Sequence, residues 1–138
     1  MAVVVDASVF VAVALDESTA ELVRNQLRAW IRAREALHAP YLAQYEWANS
    51  MWKAVGRGVI DLAGVLAAWS DFEQIPVQFH AHTSLEQTLR FASALGRRSA
   101  YDAAYLALAS ELGAELWTLD GPLYRNAVAS GFDVRLLA

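Results

Sequence analysis

Residues Ala2 to Val5 constrain the chain most: an unbroken run of small and β-branched apolar side chains that stops on a carboxylate, Asp6. A short continuous apolar run closed by a polar residue fits a strand covered on both faces, as in a parallel sheet. Ligands of open α/β sheets bind outside the carboxyl ends of such strands, which is where Asp6 falls. A second run, Ala114 to Thr118, is followed in the same way by Asp120. In a parallel sheet both aspartates lie along one edge. Aspartate at a strand end also serves as a turn former or helix cap, so at this stage both readings stay open.

Between these runs the pattern alternates. Ala7 to Leu15 reads as a short helix. Ser18-Thr-Ala-Glu21 has the form of a capping box, opening a helix with an apolar stripe of Leu22, Leu27, Trp30 and Ile31. Leu37-His38-Ala39 suits a second strand. Pro40 is placed in the first turn of a helix running to about Val55 and stopped at Gly56-Arg-Gly58. A helix over roughly Asp61 to Glu73 precedes a third strand, Ile75 to Phe79, which Pro76 restricts to an edge or a strand start. Thr83-Ser-Leu-Glu86 and Ser99-Ala-Tyr-Asp102 are two further capping-box patterns, for helices stopping at Gly96 and Gly113. A Pro122-led helix and a strand over Asp133 to Leu137 close the chain. Strands separated by helices throughout predict βαβ units and a mostly parallel sheet. With 138 residues, a single domain over residues 1–138 is expected.

Composition excludes several classes. The chain is 57% hydrophobic, yet no stretch of about 18 apolar residues is free of charge, which argues against a membrane span. The N-terminus lacks a basic segment ahead of an apolar one, so no signal peptide is read. There is no cysteine, which removes disulfides and thiolate metal sites. A cytoplasmic protein is expected. The net charge of −4 does not suit a broad electrostatic nucleic-acid binder. Lys53 is the single lysine beside ten arginines, the residue better suited to bidentate phosphate contact.

Two more acids stand in unusual surroundings. Glu46 lies among Tyr45, Trp47 and Ala48, with Asn49 three residues on. It reads either as a solvated face residue or as an intrusion into a pocket. Asp102 occupies the third position of a capping-box pattern, as Glu21 and Glu86 do, so the pattern alone does not single it out. Its context does: Tyr101, Ala103, Ala104, Tyr105, Leu106, Ala107 and Leu108 make a helix apolar nearly all round. A carboxylate entering such a helix must be paired, hydrogen-bonded or metal-bound.

Four stretches, in order, carry a resemblance to a known family. They are Val3-Val-Val-Asp6-Ala-Ser8-Val-Phe10, Pro40-Tyr-Leu-Ala-Gln-Tyr-Glu46-Trp-Ala-Asn49, Ser99-Ala-Tyr-Asp102-Ala-Ala-Tyr-Leu-Ala-Leu-Ala109 and Trp117-Thr118-Leu-Asp120-Gly-Pro-Leu123. Together they resemble the PIN-domain ribonucleases, especially VapC-type toxins of type II toxin–antitoxin systems. The resemblance spans essentially the whole chain. It implies a three-layer α/β/α fold with a central, mostly parallel sheet. It also implies an acidic, metal-binding quartet of Asp6, Glu46, Asp102 and Asp120, supported by Ser8, Asn49 and Thr118. The implied activity is endoribonucleolytic, leaving 5′-phosphate and 3′-hydroxyl ends. The implied partners are RNA, a cognate VapB-type antitoxin and a second copy of the chain.

Oxygen-only ligands favour Mg²⁺ or Mn²⁺ over zinc. Four ionised carboxylates would repel one another and an incoming phosphate, and divalent cations remove that conflict. Such ions also activate water for in-line attack and steady the leaving oxygen. Arg97 and Arg98, ahead of the Asp102 helix, are candidates for RNA-backbone contact, with Arg125 a further one. Each is equally compatible with an ordinary solvated arginine. His38, His80 and His82 match nothing catalytic in the family; His80-x-His82 could place two imidazoles on one strand face, with strand-end surface residues the default reading. Trp30, Trp47 and Trp52 are candidate antitoxin contacts, with core burial the default for each.

Three other functions are weighed. A housekeeping PIN nuclease would share the site. A catalytically silent acidic module would only dock a basic protein. Aspartyl-phosphate chemistry on Asp6 would call on a lysine near the phosphate, and only Lys53 is available.

Overall fold

The computed structural model describes residues 1–82, 84–97 and 99–137. Thr83 and Arg98 lie outside them. The strands are β1 (Ala2–Val5), β2 (Ala36–Pro40), β3 (Val77–His80), β4 (Glu115–Thr118) and β5 (Val134–Leu136). The helices among the described residues are α1 (Ala7–Ala14), α2 (Ala20–Arg32), α3 (Leu42–Gly56), α4 (Leu62–Glu73), α5 (Leu85–Leu95), α6 (Tyr101–Leu112) and α7 (Gly121–Ala129).

All five strands form one sheet in the order β3-β2-β1-β4-β5, and every pairing is parallel. The α/β architecture expected from the alternation is present, with a sheet wholly rather than mostly parallel. The run Ala2–Val5 is its central strand. Alternation along a strand sends successive side chains to opposite faces. Val3 and Val5 join the core formed with Phe10, Trp30, Trp47, Met51 and Phe72 on the α1–α4 side. Val4 joins Tyr105, Leu106, Leu116 and Leu123 on the α5–α7 side. The strand is buried on both faces because helices cover both. The two layers of helices and the sheet give three layers.

The strand order also fixes where a site can form. From β1 the chain moves to β2 and β3 on one side, then returns to β4 and β5 on the other. Strand order therefore reverses between β1 and β4, where the loops leaving the two strands diverge and open a crevice. β1 and β4 are paired through Val5 and Trp117, and the Asp6 N–H donates to the Trp117 carbonyl at 3.0 Å. The acids that end the two runs are thus neighbours at the crevice.

Several local expectations are corrected. Pro40 ends β2 instead of opening α3. β1 is registered on β2 only as far as His38, so the missing N–H of Pro40 removes no ladder bond there. Tyr41 N–H supplies the donor to the His80 carbonyl.

The capping boxes are also placed differently. α2 starts at Ala20 with no side-chain cap, and Glu21 turns outward to Arg24 and Arg28. In α5 the cap is Ser84, which accepts from Gln87 N–H at 3.1 Å, while Glu86 pairs with Arg90. Ser99 accepts from Tyr101 N–H, but α6 has no side-chain cap at Ala100. Each pattern names a real helix start to within two residues. Glu21, Glu86 and Asp102 each pair with an arginine, and the cap expected at Thr83 lies outside the described residues. The stops at Gly96 and Gly113 hold: both are left-handed, with φ of 65° and 61°, a conformation in which Cβ costs energy.

Candidate active site

Asp6 is the N-cap of α1 and is only 8% exposed. Its side chain does not cap its own helix. Instead, one oxygen, Oδ2, accepts from Ser8 Oγ at 2.7 Å and from Thr118 Oγ1 at 2.8 Å. Ser8 is placed by the first turn of α1, and Thr118, fully buried, by the end of β4. The two hydroxyls carry the order onward: Ser8 Oγ accepts from Leu119 N–H and Thr118 Oγ1 from Asp120 N–H. Asp120 then caps α7 by accepting from Leu123 N–H at 3.0 Å. The sequence feature shared by β1 and β4, an aspartate after an apolar run, is thereby one hydrogen-bonded unit. Turn chemistry and site chemistry coexist here, because Asp120 caps with Oδ1 and keeps Oδ2 toward Arg97.

Glu46 comes from the middle of α3 and is half-buried, its Oε1 accepting from Tyr105 Oη at 2.6 Å. It is the pocket reading of Glu46, not the solvated one, that the fold realises. Asp102 enters from the first turn of α6. Its Oδ2 pairs with Arg97 Nε at 2.8 Å, and Arg97 Nη2 reaches to 4.0 Å from Asp120 Oδ2. Asp6, Glu46, Asp102 and Asp120 all line one groove of about 480 Å³, together with Ser8 and Ser50. A second cavity, of about 290 Å³, is lined by Tyr41, His80 and Tyr101 among others and contains no carboxylate. The convergence of polar groups marks the first.

The acids carry the electrostatic strain expected of such crowding. Burial pushes the Asp6 carboxyl up, its two hydroxyl donors pull it down, and Asp102 and Asp120 push it up again. Glu46 is raised by burial and by Asp6 and Asp102, against the Tyr105 hydrogen bond. Asp102 is raised by burial and by Asp120, against Arg97. Burial disfavours the charged form, and like charges add to it.

A raised carboxyl pKa means that the folded state prefers the protonated acid. The resulting stabilisation is complete below the ordinary carboxylate range near pH 4 and is lost as pH rises through the higher folded values. In the absence of divalent cations, Asp6→Asn is therefore expected to melt progressively higher than wild type as pH is raised from about 4 to 8. Saturating Mg²⁺ should shrink that difference. Parallel thermal melts in chelator and in Mg²⁺ check this. A difference that is flat in pH, or that favours the wild type at pH 8, contradicts it.

Some expected residues are not brought to the groove. Asn49 is exposed on α3, and Ser50, one turn after Glu46, lines the groove in its stead. Lys53 is exposed too and does not line it, so the groove lacks the lysine that phosphoaspartate chemistry would call on. Arg97 turns inward onto Asp102 instead of standing free toward solvent. Arg98 lies outside the described residues. Arg125 is exposed and folds back over the first turn of α7, its Nη1 3.1 Å from where a Cβ on Gly121 would sit. His38 is buried, with its Nδ1 2.8 Å from His80 Nε2. Trp30 and Trp47 are core residues, and only Trp52 of the three tryptophans is exposed.

Sequence reasoning also missed Tyr105, which holds Glu46. Its signal was a tyrosine three residues after Asp102 in an otherwise aliphatic helix, where a buried hydroxyl must find a partner.

The family model for the PIN domain matches residues 3–129. The chain belongs to the PIN-domain family. It is 37% identical over 130 residues to Ribonuclease VapC3 of Pyrobaculum aerophilum, covering 89% of this chain and 92% of that protein. Among solved structures, the crystal structure of PAE2754 from Pyrobaculum aerophilum superposes with a TM-score of 0.68 at 26% identity. That match covers 91% of this chain and 79% of the other. The PIN match contains all four groove acids.

Proposed function

We propose that this PIN-domain protein is a divalent-metal-dependent endoribonuclease acting as the toxin of a VapC-type toxin–antitoxin pair. The observation that carries the reading is the convergence of Asp6, Glu46, Asp102 and Asp120 on one groove, in a chain so similar to a ribonuclease. The donor set is oxygen only, and Asp6, Glu46 and Asp102 are raised by burial, with neighbouring carboxylates adding to it, which suits a hard-cation site. Among the described residues no three acidic or imidazole side chains are gathered closely enough to hold an ion unaided. Mg²⁺ fits this arrangement, because it usually keeps several waters and takes only one or two carboxylates. Asp6, Glu46, Asp102 and Asp120 are the residues from which those carboxylates would come. When bound, such a cation supplies Lewis acidity toward phosphate and a water of lowered pKa.

The protein's own contribution is positional. Ser8 and Thr118 both engage Oδ2 of Asp6, fixing the rotamer of the carboxylate and directing its other oxygen to the groove. Asp120 is held by its N-cap bond. Arg97, between Asp102 and Asp120, supplies positive charge where an RNA phosphate would approach. The products expected are a 5′-phosphate and a 3′-hydroxyl.

A VapB-type antitoxin presenting basic and apolar side chains would complement this acidic groove, and exposed Trp52 is a candidate contact. We expect a homodimer in the cytoplasm. Among the described residues no helix is long and apolar enough to cross a membrane. Mapping cleavage sites in total RNA after brief expression tests the reading. Discrete new ends support it. If the purified wild type cleaves no RNA with Mg²⁺ or Mn²⁺, an acidic module that only docks a basic protein is the better account.

A further inference from the structure

Tyr105 is fully buried in α6, one turn after Asp102. Its hydroxyl lies between two groups from distant parts of the chain. It donates to Glu46 Oε1 of α3 at 2.6 Å and accepts from Ala7 N–H, the residue after Asp6, at 3.3 Å. We propose that Tyr105 is a positioning residue whose hydroxyl pins the Glu46 carboxylate to the first turn of α1. Acids from α1, α3 and α6 then approach a divalent cation as one rigid set. The inference rests on the metal-dependent reading above.

Glu46 has a long side chain, sits partly in water, and is repelled by Asp6 and Asp102. Left alone, it would turn outward along α3, gaining hydration and rotamer freedom. A bond of 2.6 Å from a hydroxyl to a carboxylate is in the short, charge-assisted class, about twice as strong as a neutral one. The Tyr105 oxygen cannot drift to follow Glu46, because the ring is locked in the core and the hydroxyl is held from the other side by Ala7 N–H. That N–H is itself one of the free donors of the α1 start. A hydroxyl that merely needed satisfying could have used a backbone carbonyl. Here it spans Glu46 and the α1 start, from the helix that presents Asp102. Outer-shell partners of this kind typically change metal affinity by roughly 10- to 100-fold when removed.

The test is Mn²⁺ affinity, read by electron paramagnetic resonance on metal-free protein, with thermal melts as the control for folding. Tyr105→Phe keeps the ring and removes one oxygen. It should weaken Mn²⁺ binding by roughly 10-fold or more and weaken it no further in a Glu46→Ala background. Glu46→Asp keeps the charge but withdraws it from Tyr105, so it should show the same weakening even if Tyr105→Phe fails to fold. Wild-type Mn²⁺ affinity in Tyr105→Phe or in Glu46→Asp overturns the proposal. So does an equal loss from Tyr105→Phe with and without Glu46, which would mean a general structural role. A wild type that binds no Mn²⁺ at all overturns the metal-dependent reading and this inference with it.

Discussion

Asp6→Asn should abolish RNA cleavage, lowering the rate by roughly 10³-fold or more, as when one member of a catalytic unit is removed. The fold should survive intact. The two effects separate because the asparagine amide keeps an oxygen for Ser8 Oγ and Thr118 Oγ1, the two donors that fix the native rotamer. Replacing the carboxylate also relieves burial of a charge that Asp102 and Asp120 already oppose. The variant should therefore melt at or above the wild-type temperature at pH 7 without metal, and still bind the antitoxin. Cleavage assays, melts and a binding assay on one preparation check all three. Retained cleavage in the presence of metal would remove Asp6 from the site.

Chelation should be as decisive as the mutation, and reversible. Protein stripped with EDTA is expected to leave RNA intact, and Mg²⁺ or Mn²⁺ at millimolar levels should restore cleavage. With Asp6, Glu46 and Asp102 raised by burial and by neighbouring carboxylates, a bound cation removes a destabilising interaction from the folded state alone. Mg²⁺ should therefore raise the melting temperature as well, by mass action on the native form. The rise should be absent in Asp6→Asn or much reduced. Full cleavage in EDTA would instead place the chemistry on side chains alone. The nearest imidazole pair, His38 and His80, lies on β2 and β3, and neither lines the acidic groove.

How much of this was legible in the sequence follows from the range of the interactions. The runs Ala2–Val5 and Glu115–Thr118 announce buried strands through local composition, and their parallel pairing brings Asp6 and Asp120 to one edge. Asp102 is legible because a carboxylate in an apolar helix needs a partner. Glu46 was ambiguous from spacing alone, since its place in the groove depends on a hydroxyl 59 positions away in α6. Tyr105 could be suspected of having a partner, but not which one, because its contacts join three separate segments. The capping boxes at Ser18 and Ser99 failed for the opposite reason. Glu21 and Asp102 each have an arginine within reach, and the motif does not record that competition. The placement of Pro40 shows the same limit: its tolerance in β2 depends on where the neighbouring strand stops pairing.

The four acids of the groove are expected to perform metal-dependent hydrolysis of RNA. Analysis of fragment ends tests it most directly, using purified wild type and Asp6→Asn incubated with RNA and Mg²⁺. The expected result is wild-type fragments that bear 5′-phosphates and 3′-hydroxyls, with none from the variant. Fragments with 2′,3′-cyclic phosphates, or equal cleavage by the variant, would contradict it.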